Sequence, residues 1–128
     1  MNKTEKEMLE ILINLRKSGA VAVKAEFEAE GTRTEELLRL IDLSRRANIG
    51  IGLKIGGCEA VRDLIEAKQF GVDYVIAPMV ETPYAMEKYI EAKNKVFNKD
   101  ERGDIGFLVN IETQTGFNNS DAMIKIAA

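Results

Sequence analysis

Four apolar runs rich in β-branched residues alternate with stretches of helical period, and no other feature narrows the possible folds so far. The runs cover residues 20–27 (AVAVKAEF), 49–55, 72–79 (VDYVIAPM) and a fourth that follows the polar loop 98–104 and ends at Glu112. Val- and Ile-rich runs of this length read as strands. Between them the apolar residues recur every three or four positions, the spacing that lines one face of a helix. A first helix is predicted over 4–17, with Thr4 and Glu7 as a capping box and Met8, Ile11, Leu12 and Leu15 as its stripe. Thr32 and Glu35 form a second capping box, opening a helix that presents Leu37, Leu40, Ile41 and Ser44. A third helix runs from about 59 to 69 with Val61, Leu64 and Ile65, and Gly71 ends it. Thr82 and Pro83 suit the cap and first turn of a fourth, whose inner face is Met86, Tyr89, Ile90 and Val96. A short last helix begins near Asn119.

Strands joined by helices of ~10–16 residues predict successive right-handed βαβ units and a parallel α/β sheet. Two architectures share that rhythm, a small doubly wound sheet and the first half of a (β/α)8 barrel. The 128 residues fit one domain, whereas a complete barrel needs ~250.

The absence of histidine removes the Ser-His and Cys-His nucleophile pairs, imidazole metal ligands and an imidazole base at neutral pH. Any catalysis therefore uses carboxylates, lysines, a thiol, a metal or water. The net charge of −3 is spread over mixed signs with no basic stripe, which argues against a nucleic-acid partner. No run approaches the ~18 apolar residues of a membrane span, and no apolar core follows Lys3 as in a signal peptide. A lone Cys58 excludes an internal disulfide and suits a reducing cytoplasm.

Parallel α/β folds bind ligands at the carboxyl ends of their strands, so those ends hold the candidates. They are Lys24, Glu26 and Glu28 on the first strand, and Lys54 with Gly56-Gly57-Cys58 after the second. The third run leads into Pro78-Met79-Val80-Glu81, and Asn110 and Glu112 close the fourth. Each has a plain reading beside the functional one. Lys24 and Glu26 suit an ion pair on an exposed edge, Glu28 the start of a solvated loop, and Lys54 a stem that snorkels to water. Gly56-Gly57 before a helix is either an anion cradle or an ordinary tight turn, and Cys58 a small buried filler. Glu112 resists such a reading, because an ionised carboxylate at the end of an apolar run is costly unless it is paired or holds a metal.

Four segments in register resemble the HpcH/HpaI aldolase and citrate lyase family: KAEFEAEGT (24–32), LKIGG (53–57), VIAPMVETP (75–83) and FLVNIETQTG (107–116). The resemblance spans about residues 20–124 and implies a barrel of the phosphoenolpyruvate/pyruvate type. It implies carbon–carbon lyase or aldolase chemistry on a pyruvate-like 2-keto acid or an acyl thioester, with a divalent metal, Mg²⁺ or Mn²⁺. Glu112 would ligate the metal. Lys54 stands where the family commonly has an arginine that grips the substrate carboxylate. Glu28 would support the metal's waters or the base, and Gly56, Pro78 and Met79 would contact substrate. Lysine in place of arginine loses the bidentate fork, and the aldolase branch's histidine base is missing. The second metal carboxylate is also unmatched, since Asp121 comes too soon to end a further strand.

The expectation is the first (βα)4 half of a TIM barrel with an N-terminal helix, weakly active or inactive alone and oligomeric. Two other readings are carried forward, a non-catalytic half-barrel that associates through its sheet edges and a flavodoxin-like domain that binds phosphate at Gly56-Gly57.

Overall fold

The computed structural model describes residues 1–128. Its elements run α1 (Lys3–Lys17), β1 (Ala22–Glu26), α2 (Thr34–Arg46), β2 (Gly50–Lys54), α3 (Val61–Phe70), β3 (Tyr74–Ala77) and α4 (Pro83–Val96). A 3-10 turn at Glu101–Gly103 precedes β4 (Gly106–Val109), α5 (Gln114–Asn118) and α6 (Ser120–Ala127). Every predicted strand and helix is present.

The sheet is wholly parallel, and its strand order is the chain order β1-β2-β3-β4. Each right-handed crossover therefore advances in one direction and leaves its helix on the same side. A doubly wound fold must reverse direction at a switch point, and this sheet has none. The strand order thus overturns the doubly wound, flavodoxin-like alternative and fits half of a (β/α)8 barrel.

The two faces of the sheet differ as the winding requires. Ala25, Ile51, Leu53, Val75 and Ala77 point toward the helices and are buried with Leu37, Ile41, Leu64, Met86, Tyr89 and Met123 in the main core. On the other face, Ala22, Lys24, Gly52, Tyr74, Ile76 and Leu108 line an open hollow of about 240 Å³. A smaller core of Leu12, Leu43, Ala47 and Ile49 seats α1 beside α2.

Helix signals were correct in kind and partly displaced in position. Gly71 caps α3 in the left-handed conformation at φ 68°, and the Thr82 side chain accepts from the Ala85 N–H ahead of Pro83. The capping box of α1 is Asn2 with Glu5, not Thr4 with Glu7. That of α2 uses Glu36, whose carboxylate accepts from the Arg33 N–H, because the Thr32 N–H is already given to the Glu26 carbonyl. The α1 stripe is also rotated. Leu12 faces inward with Leu9 and Ile13 beside it, while Met8, Ile11 and Leu15 are exposed. Ile65 likewise points outward from α3, and Ala67 joins Leu64 in the core.

Candidate active site at the carboxyl ends of the strands

Parallel strands bring all four carboxyl ends to one rim. At that rim β1 and β2 are in register, with Glu26 opposite Lys54. Both residues, and Lys24 two positions before Glu26, project toward the open face, because alternate strand residues share a side. The result is one carboxylate between two ammonium groups. Lys54 Nζ lies 2.9 Å from Glu26 Oε1, and Lys24 Nζ donates to Glu26 Oε2 at 3.0 Å. Glu30 adds a second anion 3.6 Å from Lys24.

Burial separates the roles. The Glu26 side chain is 7% exposed, Lys54 15% and Lys24 45%. A buried carboxylate needs paired charge, and Lys54 first, then Lys24, holds the Glu26 carboxyl below the usual carboxylate range. The hydrogen bond to Glu26 raises Lys24 in turn. Lysine has three N–H donors. Glu26 is the only anion within ion-pair distance of Lys54, which leaves donors free at the rim for a ligand anion. The Lys24–Glu26 pair is thus an ion pair on the outer strand β1, with its ammonium half-exposed and its carboxylate buried. Glu26 is the residue that sequence reasoning undervalued; its signal was the Lys-x-Glu spacing, but its partner depends on the β1–β2 register.

The other predicted positions share the rim without joining this cluster. Glu28 is exposed, lies over Gly56 and borders a polar cleft with Thr32, Arg33, Arg62 and Asp63 between α2 and α3. The Gly56 N–H is not open to an anion, because it donates to Asp63 Oδ2 at 2.7 Å. That carboxylate occupies the place a phosphate would need. Cys58 is half-buried, and burial pushes its thiol up, away from the thiolate that reacts.

Glu112 corrects an expectation. β4 ends at Val109, so Asn110 and Glu112 lie past the strand and Glu112 is exposed. Its Oε1 accepts from the Met79 N–H at 2.9 Å. Met79 holds a left-handed φ of 45°, unusual for a residue with a Cβ. The Glu112 carboxylate therefore fastens the turn after β3, where Pro78 is half-buried and Met79 exposed. Neighbouring strands are ~4.8 Å apart, so the β4 end stands roughly 10 Å from the β2 end that carries Lys54.

No three acidic or thiol side chains come together as a cation site. Magnesium typically takes one or two carboxylates and fills its octahedron with water and substrate oxygens. Glu112 is one such carboxylate, and it is no part of a group of three. These residues present part of a donor set and do not by themselves fit a metal.

No protein-family profile and no curated protein matches the chain. Solved structures do. An HpcH/HpaI aldolase from Desulfitobacterium hafniense DCB-2 superposes with a TM-score of 0.75 at 11% identity, over 92% of this chain and 54% of that one. An HpcH/HpaI aldolase/citrate lyase family protein from Burkholderia cenocepacia J2315 gives 0.68 at 11% identity, over 90% and 55%. The citrate synthase SbnG gives 0.69 at 19% identity, over 90% and 51%. The chain spans about half the length of the structures it matches. At such identities the likeness is one of fold, and the fold is half of the TIM barrel seen in these structures.

Proposed function

We propose that this chain supplies half of an active site for carbon–carbon lyase or aldolase chemistry on a pyruvate-like 2-keto acid or an acyl thioester. The observation that carries this reading is the Lys24–Glu26–Lys54 cluster on the open face at the strand ends. In the proposal Lys54 binds the substrate carboxylate through the N–H groups that Glu26 leaves free. Glu26 fixes the direction of that ammonium, and Lys24 adds positive potential beside it. Cleavage breaks the bond between the α and β carbons. A base takes the β-hydroxyl proton, and the β carbon leaves as an aldehyde or ketone. The electron pair of the broken bond passes through the α carbon to the keto oxygen as an enolate, whose charge a fixed cation beside the carboxylate stabilises. Gly56, Pro78 and Met79 border the same rim and would contact the rest of the substrate. Glu112, released from Met79, would give one oxygen ligand to Mg²⁺ or Mn²⁺, with the remaining ligands coming from outside these residues. Glu28 would hold the metal's waters or assist a base.

The test is ligand-linked stability. Pyruvate at tens of millimolar with Mg²⁺ is expected to raise the melting temperature of the chain, and Lys54→Met to abolish the rise. No rise in the parent, or an equal rise in Lys54→Met, counts against the assignment of Lys54. Release of pyruvate from a hydroxy-keto acid is expected to be slow or nil for the chain alone. Should release occur and depend on Mg²⁺, survival of that dependence in Glu112→Ala would remove Glu112 from the metal.

A further inference from the structure

We propose that Lys54 acts as a nucleophile as well as a cation, its amine condensing with the keto group of the bound acid to give a covalent imine. The inference rests on the proposed binding of substrate at Lys54 and deepens that reading, because it selects the 2-keto acid over the acyl thioester.

Lysine and arginine both hold a carboxylate, but only lysine carries an amine that can lose its proton and bond to carbon. Two lysines stand at this rim, and their surroundings separate them. Lys24 faces two anions, Glu26 at 3.0 Å and Glu30 at 3.6 Å. The hydrogen bond to Glu26 first, and then the charges of Glu26 and Glu30, raise its pKa. Lys24 therefore stays an ammonium. Lys54 has Glu26 alone, and its register partner on β3 is Ile76, which brings no charge. It is also the better shielded of the two lysines from bulk water.

One carboxylate fixes both nitrogens. Lys54 Nζ sits on Glu26 Oε1 and Lys24 Nζ on Oε2. The two cations thus lie no farther apart than a carboxylate and two hydrogen bonds allow. In a 2-keto acid the carboxylate carbon and the keto carbon are bonded to each other. A substrate drawn in by both ammonium groups can rest its carboxylate on Lys24 and present its keto carbon to Lys54.

The Lys54 ammonium gives one proton to water at the rim. Its nitrogen pair then bonds to the keto carbon while the carbonyl π pair moves to oxygen, and a proton passes from nitrogen to that oxygen. The hydroxyl leaves as water with the proton returned from solvent, and the nitrogen pair closes the C=N bond of a protonated imine. When the bond between the α and β carbons breaks, its electron pair passes through the α carbon to this nitrogen. A neutral enamine forms in place of the enolate. A proton on the α carbon and one water then return pyruvate and free Lys54. The same amine attacking a thioester would expel the thiol and remain as an amide, which blocks further turnover.

The test is reductive trapping on the full chain, with sodium cyanoborohydride, pyruvate and EDTA, so that no metal takes part. The expected product gains the mass of one pyruvic acid less one oxygen atom, and peptide mapping places it on Lys54. Lactate, which has no keto group, gives no gain. Lys54→Arg keeps the cation, and it is expected to lose the adduct while keeping the rise in melting temperature that pyruvate produces. If Lys54→Arg does not fold, mapping of the parent decides, with the urea-unfolded chain as the sample that loses the adduct. A rise in the parent without an adduct would overturn the imine and leave the carboxylate binding standing. Neither rise nor adduct would overturn both. An adduct on Lys24 in place of Lys54, or one spread evenly over the surface lysines, would overturn the assignment.

Discussion

Gly106→Ala isolates the packing of the open face. Gly106 pairs with Tyr74 across β3 and β4, and a Cβ placed on it would meet Tyr74 Cδ1 at 2.5 Å and Cε1 at 2.9 Å. Real Cβ atoms do not approach a ring so closely, so the ring must move or the strands must part. Overpacking of this kind costs ~1–3 kcal/mol. The backbone at Gly106 is not left-handed, so alanine fits it and recovers ~0.4–1 kcal/mol by restricting the unfolded chain. The net expectation is a loss of about 1–2 kcal/mol. With a urea slope of ~1–3 kcal/mol/M for a chain of this size, the midpoint should fall by roughly 0.3–2 M. Protein concentration is held fixed, so that any association weighs equally on both midpoints. Tyr74→Ala removes the obstacle, and in that background Gly106→Ala should be neutral or stabilising by about 0.5 kcal/mol. The sign change across the double-mutant cycle is the diagnostic. Equal losses in both backgrounds, or a parent-like midpoint with Tyr74 present, would refute the seating of the ring over Gly106.

Ser44 on α2 is fully buried and its hydroxyl has no hydrogen-bond partner. Ser44→Ala should therefore stabilise the chain by about 1 kcal/mol, and a loss in calorimetry would show that the hydroxyl is satisfied. The acid limb of stability should be steep. Lys54 and Lys24 hold Glu26 low, and Lys68 with the Asn98 N–H holds Glu101 low. A carboxyl whose folded pKa lies below its unfolded ~4.3 contributes in full above that value. The contribution is lost as pH falls from about 4.3 through the folded pKa. Glu26→Gln combined with Glu101→Gln should flatten urea-derived stability between pH 5 and 3, and an unchanged acid slope would rule these two carboxyls out as its source.

The fold was legible because periodicity and punctuation agreed. Gly71, Thr82 and Pro83 sit where their backbone chemistry demands, and helices of similar length force parallel crossovers. Winding direction was not legible, since a βαβ unit is the same object in a barrel and in a doubly wound sheet. Strand length was not legible either. The apolar run continues to Ile111, but β4 stops at Val109 because its partner β3 stops at Ala77. A strand ends where its neighbour stops offering hydrogen bonds, so the number of residues from Val109 to Glu112 depended on another segment. The same limit hid the site. Lys24, Glu26 and Lys54 were each visible as strand-end charges, but their union is a property of the register between β1 and β2. The α1 stripe failed for a different reason. Leu9, Leu12 and Ile13 share the helix with Met8, Ile11 and Leu15, and the pattern alone does not say which set meets α2.

The strand order carries a consequence for how the chain acquires its structure. Paired residues such as Ala22 with Gly50, Gly52 with Tyr74 and Tyr74 with Gly106 are 28, 22 and 32 positions apart, and no pairing joins the two ends. Each new strand adds to the one made just before it, at a similar modest entropy of loop closure. Such a chain has little need to wait for its C-terminus. A nascent polypeptide can lay down β1 and β2 over α2 while α4 is still being synthesised, and each later βα unit finds its template already in place. Folding should accordingly be rapid for a parallel sheet, because rates rise as contacts become more local in sequence.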